Sequence, residues 1–186
     1  MSSIVVRAPR AGEADVLANL HTASWRETYA GVLPDSVWGA DAHAGRVRLW
    51  TALCDDRRPE WHTAVAELDG TPIGIAHATP EPEGDDPSGG LRLCLLYVLA
   101  SAHGSGAGRA LHDAVLGEGA ASLWVLDGNA RAIAFYRRAG FTPDGTRRGS
   151  GFEDAPDEVR FVRGSDVERR AHTERDRTTE GDTRVD

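Results

Sequence analysis

Apolar residues in the middle of the chain follow two different spacings, one soon after the other. Residues 93–100 form an unbroken apolar run bounded by turn-forming residues, which is typical of a strand buried on both faces. After a short gap, Ala110, Leu111, Ala114 and Val115 recur at the spacing of an amphipathic helix. The pattern therefore predicts a strand, a turn and a helix in direct succession.

The apolar pattern on either side of this unit predicts further strands and helices. Upstream it predicts a strand at 4–7, a helix at 13–29, one or two short helices within 34–53, and a hairpin of strands 61–68 and 73–79 around Asp69-Gly70. Residues 79–90 are acidic and rich in Pro and Gly, which is typical of a mobile surface loop. Downstream it predicts a strand at 122–126, a helix at 130–138, a strand from Phe141, an irregular loop from Asp144-Gly145, and a last strand at 159–163.

Composition limits the class of protein. The 186 residues suit one domain, which we place at 1–163, followed by a charged tail at 164–186 that has no aromatic residue and is predicted to be disordered or loosely helical. No segment approaches the ~20 apolar residues that span a bilayer, and the N-terminus does not resemble a signal peptide. The net charge of −8 argues against a nucleic-acid partner, although Arg147-Arg148 is a local basic pair.

The two cysteines of the chain indicate its compartment. Cys54 and Cys94 are too few for a disulfide scaffold in a domain of this size, so a reduced, cytoplasmic protein is expected. Because Cys94 lies in the predicted buried strand, its expected role is that of a small core residue.

Three glycines at alternate positions, Gly104, Gly106 and Gly108, connect the predicted strand to the predicted helix. The free N–H groups at the start of a helix and the positive end of its dipole attract anions. Glycine lets the backbone approach such an anion because no Cβ stands in the way. The connection predicts a phosphate site, and the alternative is a glycine-rich turn without a ligand.

Two common nucleotide-binding motifs do not fit this connection. A dinucleotide fingerprint would account for Asp127, an acidic residue about 20 positions further on, but it needs a third glycine three positions after the second. That position is Arg109 or Leu111, depending on which glycine pair is taken first. A Walker P-loop needs a lysine, and the chain contains none.

Two stretches resemble the motifs of the GCN5-related N-acetyltransferases (GNAT family). The family's pyrophosphate loop reads Gln or Arg, two residues, Gly, one residue, then Gly or Ala, and residues 103–108 (HGSGAG) follow it with His103 in the first position. The family's second motif has an Asn after a strand, then a helix with a Tyr, then Gly-Phe, and Asn129, Tyr136, Gly140 and Phe141 occupy those positions. The resemblance covers about residues 5–163 and is tightest over 91–141.

The resemblance implies a fold, an activity and a cofactor. The fold is α/β, a mixed and largely antiparallel sheet of six or seven strands flanked by helices, and the activity is acetyl-CoA-dependent N-acetylation. The backbone of the central strand is expected to face the pantetheine arm and the acetyl carbonyl, at Leu96, Tyr97 and Val98. The backbone amides of the loop are expected to bind the pyrophosphate, at Gly104, Ser105, Gly106, Ala107, Gly108 and Arg109. Asn129 is expected to meet the pantetheine arm, to cap the helix that follows it, or both.

The resemblance also assigns catalytic roles. Tyr136 is the expected general acid that protonates the departing thiolate of coenzyme A; the alternative is a core tyrosine between Phe135 and Phe141. Many family members carry a glutamate base on the central strand or the next one, but Arg92 and Trp124 stand near those positions here. Three other residues remain as candidate bases: His77, Glu27 and His21. The alternative is an aliphatic amine that arrives partly neutral and needs only a chain of waters.

The end of the first predicted helix and the Leu33-Pro34 after it resemble a subset of the family in which this region borders the acceptor pocket. Trp25, Glu27 and Tyr29, together with His77, are therefore candidate acceptor-binding residues; the alternative for Trp25 is packing on the core. The acceptor is left open between a small-molecule amine (antibiotic, amino acid or polyamine-like) and a protein amine. No metal is expected, and monomer and homodimer are both open. The competing function is a non-catalytic acyl-CoA-sensing module of the same fold.

Overall fold

A computed structural model describes residues 3–55, 58–82 and 90–164. In these parts of the chain seven strands form one mixed sheet in the order β1-β2-β3-β4-β5-β7-β6. The strands are β1 (Ile4–Arg7), β2 (His62–Leu68), β3 (Thr71–Pro80), β4 (Leu91–Val98), β5 (Ala121–Leu126), β6 (Thr142–Arg148) and β7 (Glu158–Arg163). Neighbouring strands are antiparallel except β4 and β5, which are parallel. The predicted mixed, largely antiparallel sheet is confirmed.

Four α-helices flank the sheet in the described residues: α1 (Ala14–Tyr29), α2 (Ala40–Asp55), α3 (Ala107–Leu116) and α4 (Ala130–Arg138). Short 3-10 turns cover Asp35–Trp38 and Ala100–Ala102. The predicted helix bounds agree to within a few residues. None of the described helices combines the length and the apolar character needed to cross a membrane.

The sheet separates two apolar cores. On one face α3 and α4 pack through Leu111, Val115 and Tyr136. On the other face α1 and α2 pack through Leu17 and Trp50, both fully buried. Burial of each such large side chain stabilises the fold by about 1.5–3 kcal/mol.

The β2–β3 hairpin confirms its turn signal. Asp69 and Gly70 have φ angles of 50° and 81°, as a two-residue type I′ turn requires. Further along β3, a Cβ added to Gly74 would lie 2.9 Å from Leu111 Cδ1. Glycine at this position therefore lets α3 pack closely on the sheet.

The central strand departs from its prediction. β4 buries Leu93 and Leu95, but Cys94 between them is exposed, so both the strand buried on two faces and the core role of Cys94 are wrong. Leu93 pairs with Ala78 and Leu95 with His77, which leaves Cys94 as the extra residue of a β-bulge. The apolar run is continuous because one side of β4 lines a cleft.

The predicted loop at Asp144-Gly145 is also wrong, because both residues lie within β6. Pairing with β7 shifts register between Pro143 and Arg147, and Gly145 has a φ of 88°. A bulge thus keeps the strand continuous through turn-forming residues. Most of the predicted surface loop at 79–90 and nearly all of the tail at 164–186 lie outside the described residues.

Candidate active site

The sheet opens between β4 and β5. The two strands pair only where Leu91–Leu93 lies beside Ala121–Leu123. Beyond this point β4 pairs only with β3, and β5 only with β7. The facing edges leave backbone N–H and C=O groups without a strand partner, and such groups need a ligand or water. The opening is a cleft of about 800 Å³.

The glycine connection closes one end of this cleft. Gly104 and Gly106 have φ angles of 81° and 92°, and a Cβ at either would meet nothing within 4 Å. Ser105 stabilises the loop from inside, since its hydroxyl donates to Ala102 O at 2.6 Å and accepts from Ala107 N at 3.3 Å. His103 Nε2 lies 2.9 Å from Val98 O, so the residue in the Gln/Arg position ties the loop to the end of β4.

The first turn of α3 presents free donors to the cleft. Its N-cap is Gly106, which offers no side-chain cap. The N–H groups of Gly108 and Arg109 donate to no residue in the described parts of the chain. Both residues line the cleft, and these amides together with the helix dipole form an anion site. A glycine-rich loop with unpaired amides fits the pyrophosphate of coenzyme A.

Tyr136 lies on the cleft side of α4. Its ring centroid lies 5.4 Å from that of Phe135 and 5.9 Å from that of Phe141, and the residue is 8% exposed. The hydroxyl bonds to no described residue. Burial, with a smaller contribution from Tyr29, raises the pKa of Tyr136 well above its ordinary value, so the phenol keeps its proton. The ring is packed, as the core-tyrosine alternative predicts. The hydroxyl has no partner among the described residues, which leaves it available for the predicted general-acid role.

Asn129 has a clear structural role and lines the cleft as well. Its Oδ1 accepts from Ala132 N at 3.1 Å, which is the side-chain cap of α4. Its side chain also lies beside the Tyr29 hydroxyl. The predicted cap is confirmed.

Aromatic side chains of α1 form one wall of the cleft beside β4. The Trp25 ring lies 5.6 Å from Tyr29 and 6.1 Å from Tyr97. Burial raises the pKa of Tyr29, and the pKa of Tyr97 is raised further, by burial and by Tyr29. This wall is therefore aromatic and uncharged, and it includes Trp25 and Tyr29 as the sequence led us to expect.

Two predicted acceptor residues do not line the cleft. Glu27 accepts a hydrogen bond from Ala100 N at 2.8 Å, which fastens α1 to the turn after β4. His77 is buried, 2.8 Å from the Thr63 hydroxyl, with its ring 5.5 Å from Trp61. Burial lowers the pKa of His77. The geometry gives both residues structural contacts.

His21, the third candidate base, is poorly suited to accept a proton. It is 6% exposed and stacks on Tyr97 with 5.3 Å between ring centroids. Burial, assisted by the Arg46 charge, lowers its pKa to about 3. Its Nδ1 already accepts from Trp50 Nε1 at 3.4 Å. The imidazole is therefore neutral near pH 7, with its proton on Nε2.

Glu158 is a site residue that the sequence analysis missed. It opens β7 opposite Leu126, and among the described residues that line the cleft it supplies the carboxylate. Arg148 holds it through an ion pair at 2.7 Å. The predicted strand began one residue later, and nothing in the local pattern distinguishes a cleft carboxylate from a solvated residue at a strand end. No cluster of potential metal ligands occurs in the described parts of the chain.

Comparisons with known proteins agree with this geometry. A model of the acetyltransferase (GNAT) family matches residues 18–141. The chain is 36% identical over 113 residues to uncharacterized N-acetyltransferases of Mycobacterium tuberculosis and Mycobacterium bovis, covering 58% of this chain and 67% of each relative.

Solved structures with the same fold include the PaiA N-acetyltransferase of Thermoplasma acidophilum in complex with coenzyme A. It has a TM-score of 0.59 and 19% identity, over 87% of this chain and 99% of that one. An HPA2-related acetyltransferase of Corynebacterium glutamicum has a TM-score of 0.65 and 20% identity, over 89% and 97%. Fold and cleft thus define a coenzyme A-dependent acyltransferase. The chain belongs to the GNAT acetyltransferase family, and it is an N-acetyltransferase that uses acetyl-CoA.

Proposed function

We propose that this enzyme moves the acetyl group of acetyl-CoA to the amine of a small molecule, with Tyr136 as general acid. The observation that carries the proposal is the free Tyr136 hydroxyl in the same cleft as the unpaired strand edges and the α3 amides. A buried phenol that stays protonated and has no internal partner is suited to donate its proton to a ligand.

The cofactor would be held by backbone more than by side chains. The open edge of β4 at Leu96, Tyr97 and Val98 would bind the pantetheine arm. The amides of the loop, above all Gly108 and Arg109, would bind the pyrophosphate. The Arg109 side chain is exposed and paired with Asp113 at 2.7 Å, so its guanidinium would contribute less than its amide.

Two residues of the chain would move the protons. Bound acetyl-CoA supplies an activated thioester, whose C–S bond breaks as the C–N bond to the acceptor forms. Tyr136 would give its proton to the departing sulfur. Glu158 would take the proton that the amine loses, directly or through a water. The Arg148 ion pair would keep the Glu158 carboxylate in its position at the cleft.

The acceptor side favours a small molecule. Trp25 packs against Tyr29 and Tyr97 in the wall of the cleft beside β4. A compact amine can lie against this wall with fewer contacts than an extended polypeptide segment would need.

A thiol-release assay tests the proposal. Release of free coenzyme A from acetyl-CoA is measured with amino acids, aminoglycosides, polyamines and peptides that carry free N-terminal or lysine amines. We expect turnover with small amines and little with peptides. Turnover with peptides alone would contradict the small-molecule acceptor. Thermal stabilisation by coenzyme A without turnover on any amine would favour the acyl-CoA-sensing alternative.

A further inference from the structure

A second pocket of about 320 Å³ adjoins the cleft, and Trp25 lines both. Its walls come from α1, α2, the 3-10 turn between them and the segment that joins β6 to β7. They are mostly apolar: Trp25, Val37, Leu49 and Phe152. Leu49 is 38% exposed. Two polar side chains, His21 and Arg46, complete the lining.

Arg46 is a buried cation with no carboxylate partner among the described residues. The residue is 8% exposed, its Nη1 donates to Val37 O at 2.8 Å, and its guanidinium lies 4.8 Å from the centre of the Trp25 ring. None of the described carboxylates forms an ion pair with it, and burial lowers its pKa. A carbonyl and an aromatic face lessen the cost of burying this charge but do not neutralise it.

His21 adds a second donor to the same pocket. Its Nε2 is buried and has no hydrogen-bond partner among the described residues. Because Nδ1 accepts from Trp50, the neutral imidazole carries its proton on Nε2. The pocket therefore offers one buried donor without a partner, His21 Nε2, and one guanidinium whose charge is balanced by none of the described carboxylates. Such a pair suits a carboxylate, which accepts from both nitrogens and balances the guanidinium.

We propose that the acceptor is an apolar amino acid whose carboxylate is bound by Arg46 and His21. Its apolar side group packs on Val37, Leu49 and Phe152, and its amine faces the cleft past Trp25. This inference rests on the proposed function, because it names the substrate class of the same active site. The carboxylate of the acceptor is recognised by charge and its side group by apolar packing. A plain amine has no carboxylate, so it lacks the first of these interactions.

The test compares matched substrates and matched variants. kcat/KM is measured for L-phenylalanine and L-leucine, for their amides, and for the decarboxylated amines phenethylamine and isopentylamine. The variant Arg46→Gln removes the charge, and Arg48→Gln removes the same charge from an exposed position of α2. Arg46→Lys keeps the charge without the two-pronged geometry.

We expect wild-type kcat/KM to be about 30-fold or more higher for the amino acids than for their amides and decarboxylated amines. Arg46→Gln should remove that preference, mainly through KM, and leave the decarboxylated amines unchanged. Arg46→Lys should restore part of it, and Arg48→Gln should behave as wild type. Equal wild-type kcat/KM for all three substrate forms would overturn the inference even if Arg46→Gln failed to fold.

Calorimetry separates failure of this inference from failure of the proposed function. N-acetyl-L-phenylalanine and coenzyme A are titrated into wild type, Arg46→Gln and Arg48→Gln. Coenzyme A should bind all three alike, and the acetylated amino acid should lose affinity only in Arg46→Gln. Turnover of other amines, with no binding of the acetylated amino acid to wild type, would refute the carboxylate site and leave the acetyltransferase function standing. Coenzyme A binding without turnover of any amine would refute the proposed function itself.

Discussion

The role of a side chain in this cleft depends on which of its contacts are already satisfied. Tyr136 packs its ring between Phe135 and Phe141 while its hydroxyl engages no described residue. Glu27 shows the opposite case, since its carboxylate accepts from the Ala100 amide. The sequence made both residues functional candidates. The structure distinguishes them, because the Tyr136 hydroxyl has no described partner and the Glu27 carboxylate is already hydrogen-bonded.

Tyr136→Phe keeps the packed ring and removes only the hydroxyl. We expect kcat to fall by about 10²–10⁴, the usual contribution of general acid catalysis, with affinity for acetyl-CoA nearly unchanged. Because the hydroxyl has no internal partner, the melting temperature should also stay close to that of wild type. Single-turnover kinetics, calorimetry and thermal unfolding provide the three measurements. A lowered melting temperature with kcat intact would show that the hydroxyl is structural.

Glu158→Gln removes the proposed base and keeps its size. We expect kcat/KM for the amine to fall by about 10²-fold or more while binding of acetyl-CoA persists. Arg148→Gln breaks the ion pair that positions Glu158 but keeps the carboxylate itself, so its loss of activity should be smaller. Wild-type kcat/KM in a folded Glu158→Gln variant would refute the proton transfer from the amine to Glu158.

At the level of elements, α3 and the loop before it form the end of the cleft where we propose that the cofactor binds. The helix begins at Gly106, which is in the left-handed region, and ends beside Gly117, which has a φ of 53° and a ψ of −143°. A Cβ at either Gly106 or Gly117 would meet nothing within 4 Å. Of these two glycines, only Gly106 lines the cleft. A side chain at either glycine would therefore strain the backbone. A side chain at Gly106 would also face the cleft, whereas one at Gly117 would not.

Gly106→Val should weaken coenzyme A binding by about tenfold or more, because a side chain would occupy the space where backbone approaches phosphate. Gly117→Val also places an L-residue at a positive φ, and it should leave affinity unchanged because Gly117 does not line the cleft. Calorimetry measures the affinity for coenzyme A. Urea unfolding measures how much each of the two substitutions lowers the free energy of unfolding. Equal affinity in the two folded variants would remove the loop from the cofactor site.

Across the whole molecule, burial keeps several histidines neutral. His21, His77 and His112 are each less than 10% exposed, and burial is the main cause that lowers the pKa of each. In the unfolded chain these imidazoles take up protons near their ordinary value of 6.5. Unfolding therefore binds protons below that pH, and acid favours the unfolded state.

We expect the free energy of unfolding to fall as the pH drops below 6.5, by up to about 1.4 kcal/mol per pH unit for His21 down to its folded pKa of about 3. Carboxylates with lowered pKa values, such as Glu13 and Asp113, also lose their stabilising contribution in acid. They do so only when the pH comes near or below their ordinary pKa values of 4.5 and 3.8. Urea titrations at pH 7 and pH 5 therefore isolate the histidines.

His112→Gln should flatten this pH dependence, whatever it does to stability at pH 7. His103→Gln serves as the comparison variant, because it makes the same replacement at an exposed histidine. A free energy of unfolding that is constant from pH 7 to pH 5 would contradict the burial of neutral histidines.

The sequence by itself determined the features that depend on neighbouring residues. Asp69-Gly70 gave a hairpin because both positions accept the positive φ of its turn. Asn129 capped α4 because its side chain reaches the amide three residues on. The glycine loop and Tyr136 were found because they belong to short motifs with set spacing. Local backbone preference and periodicity decide such features, so the fold class and the family followed from them.

Only the tertiary structure decided which strand edges separate and which distant side chains meet. The bulge that exposes Cys94 and the limited pairing of β4 with β5 depend on register between strands far apart in sequence. Glu158 reaches the cleft from the last strand, and Arg46 meets His21 from a different helix. Long-range packing places each of these groups, and no spacing along the chain encodes the distance between them. The glycine loop and Tyr136 could therefore be identified in the sequence, whereas the proposed base and the proposed acceptor pocket came only from the folded molecule.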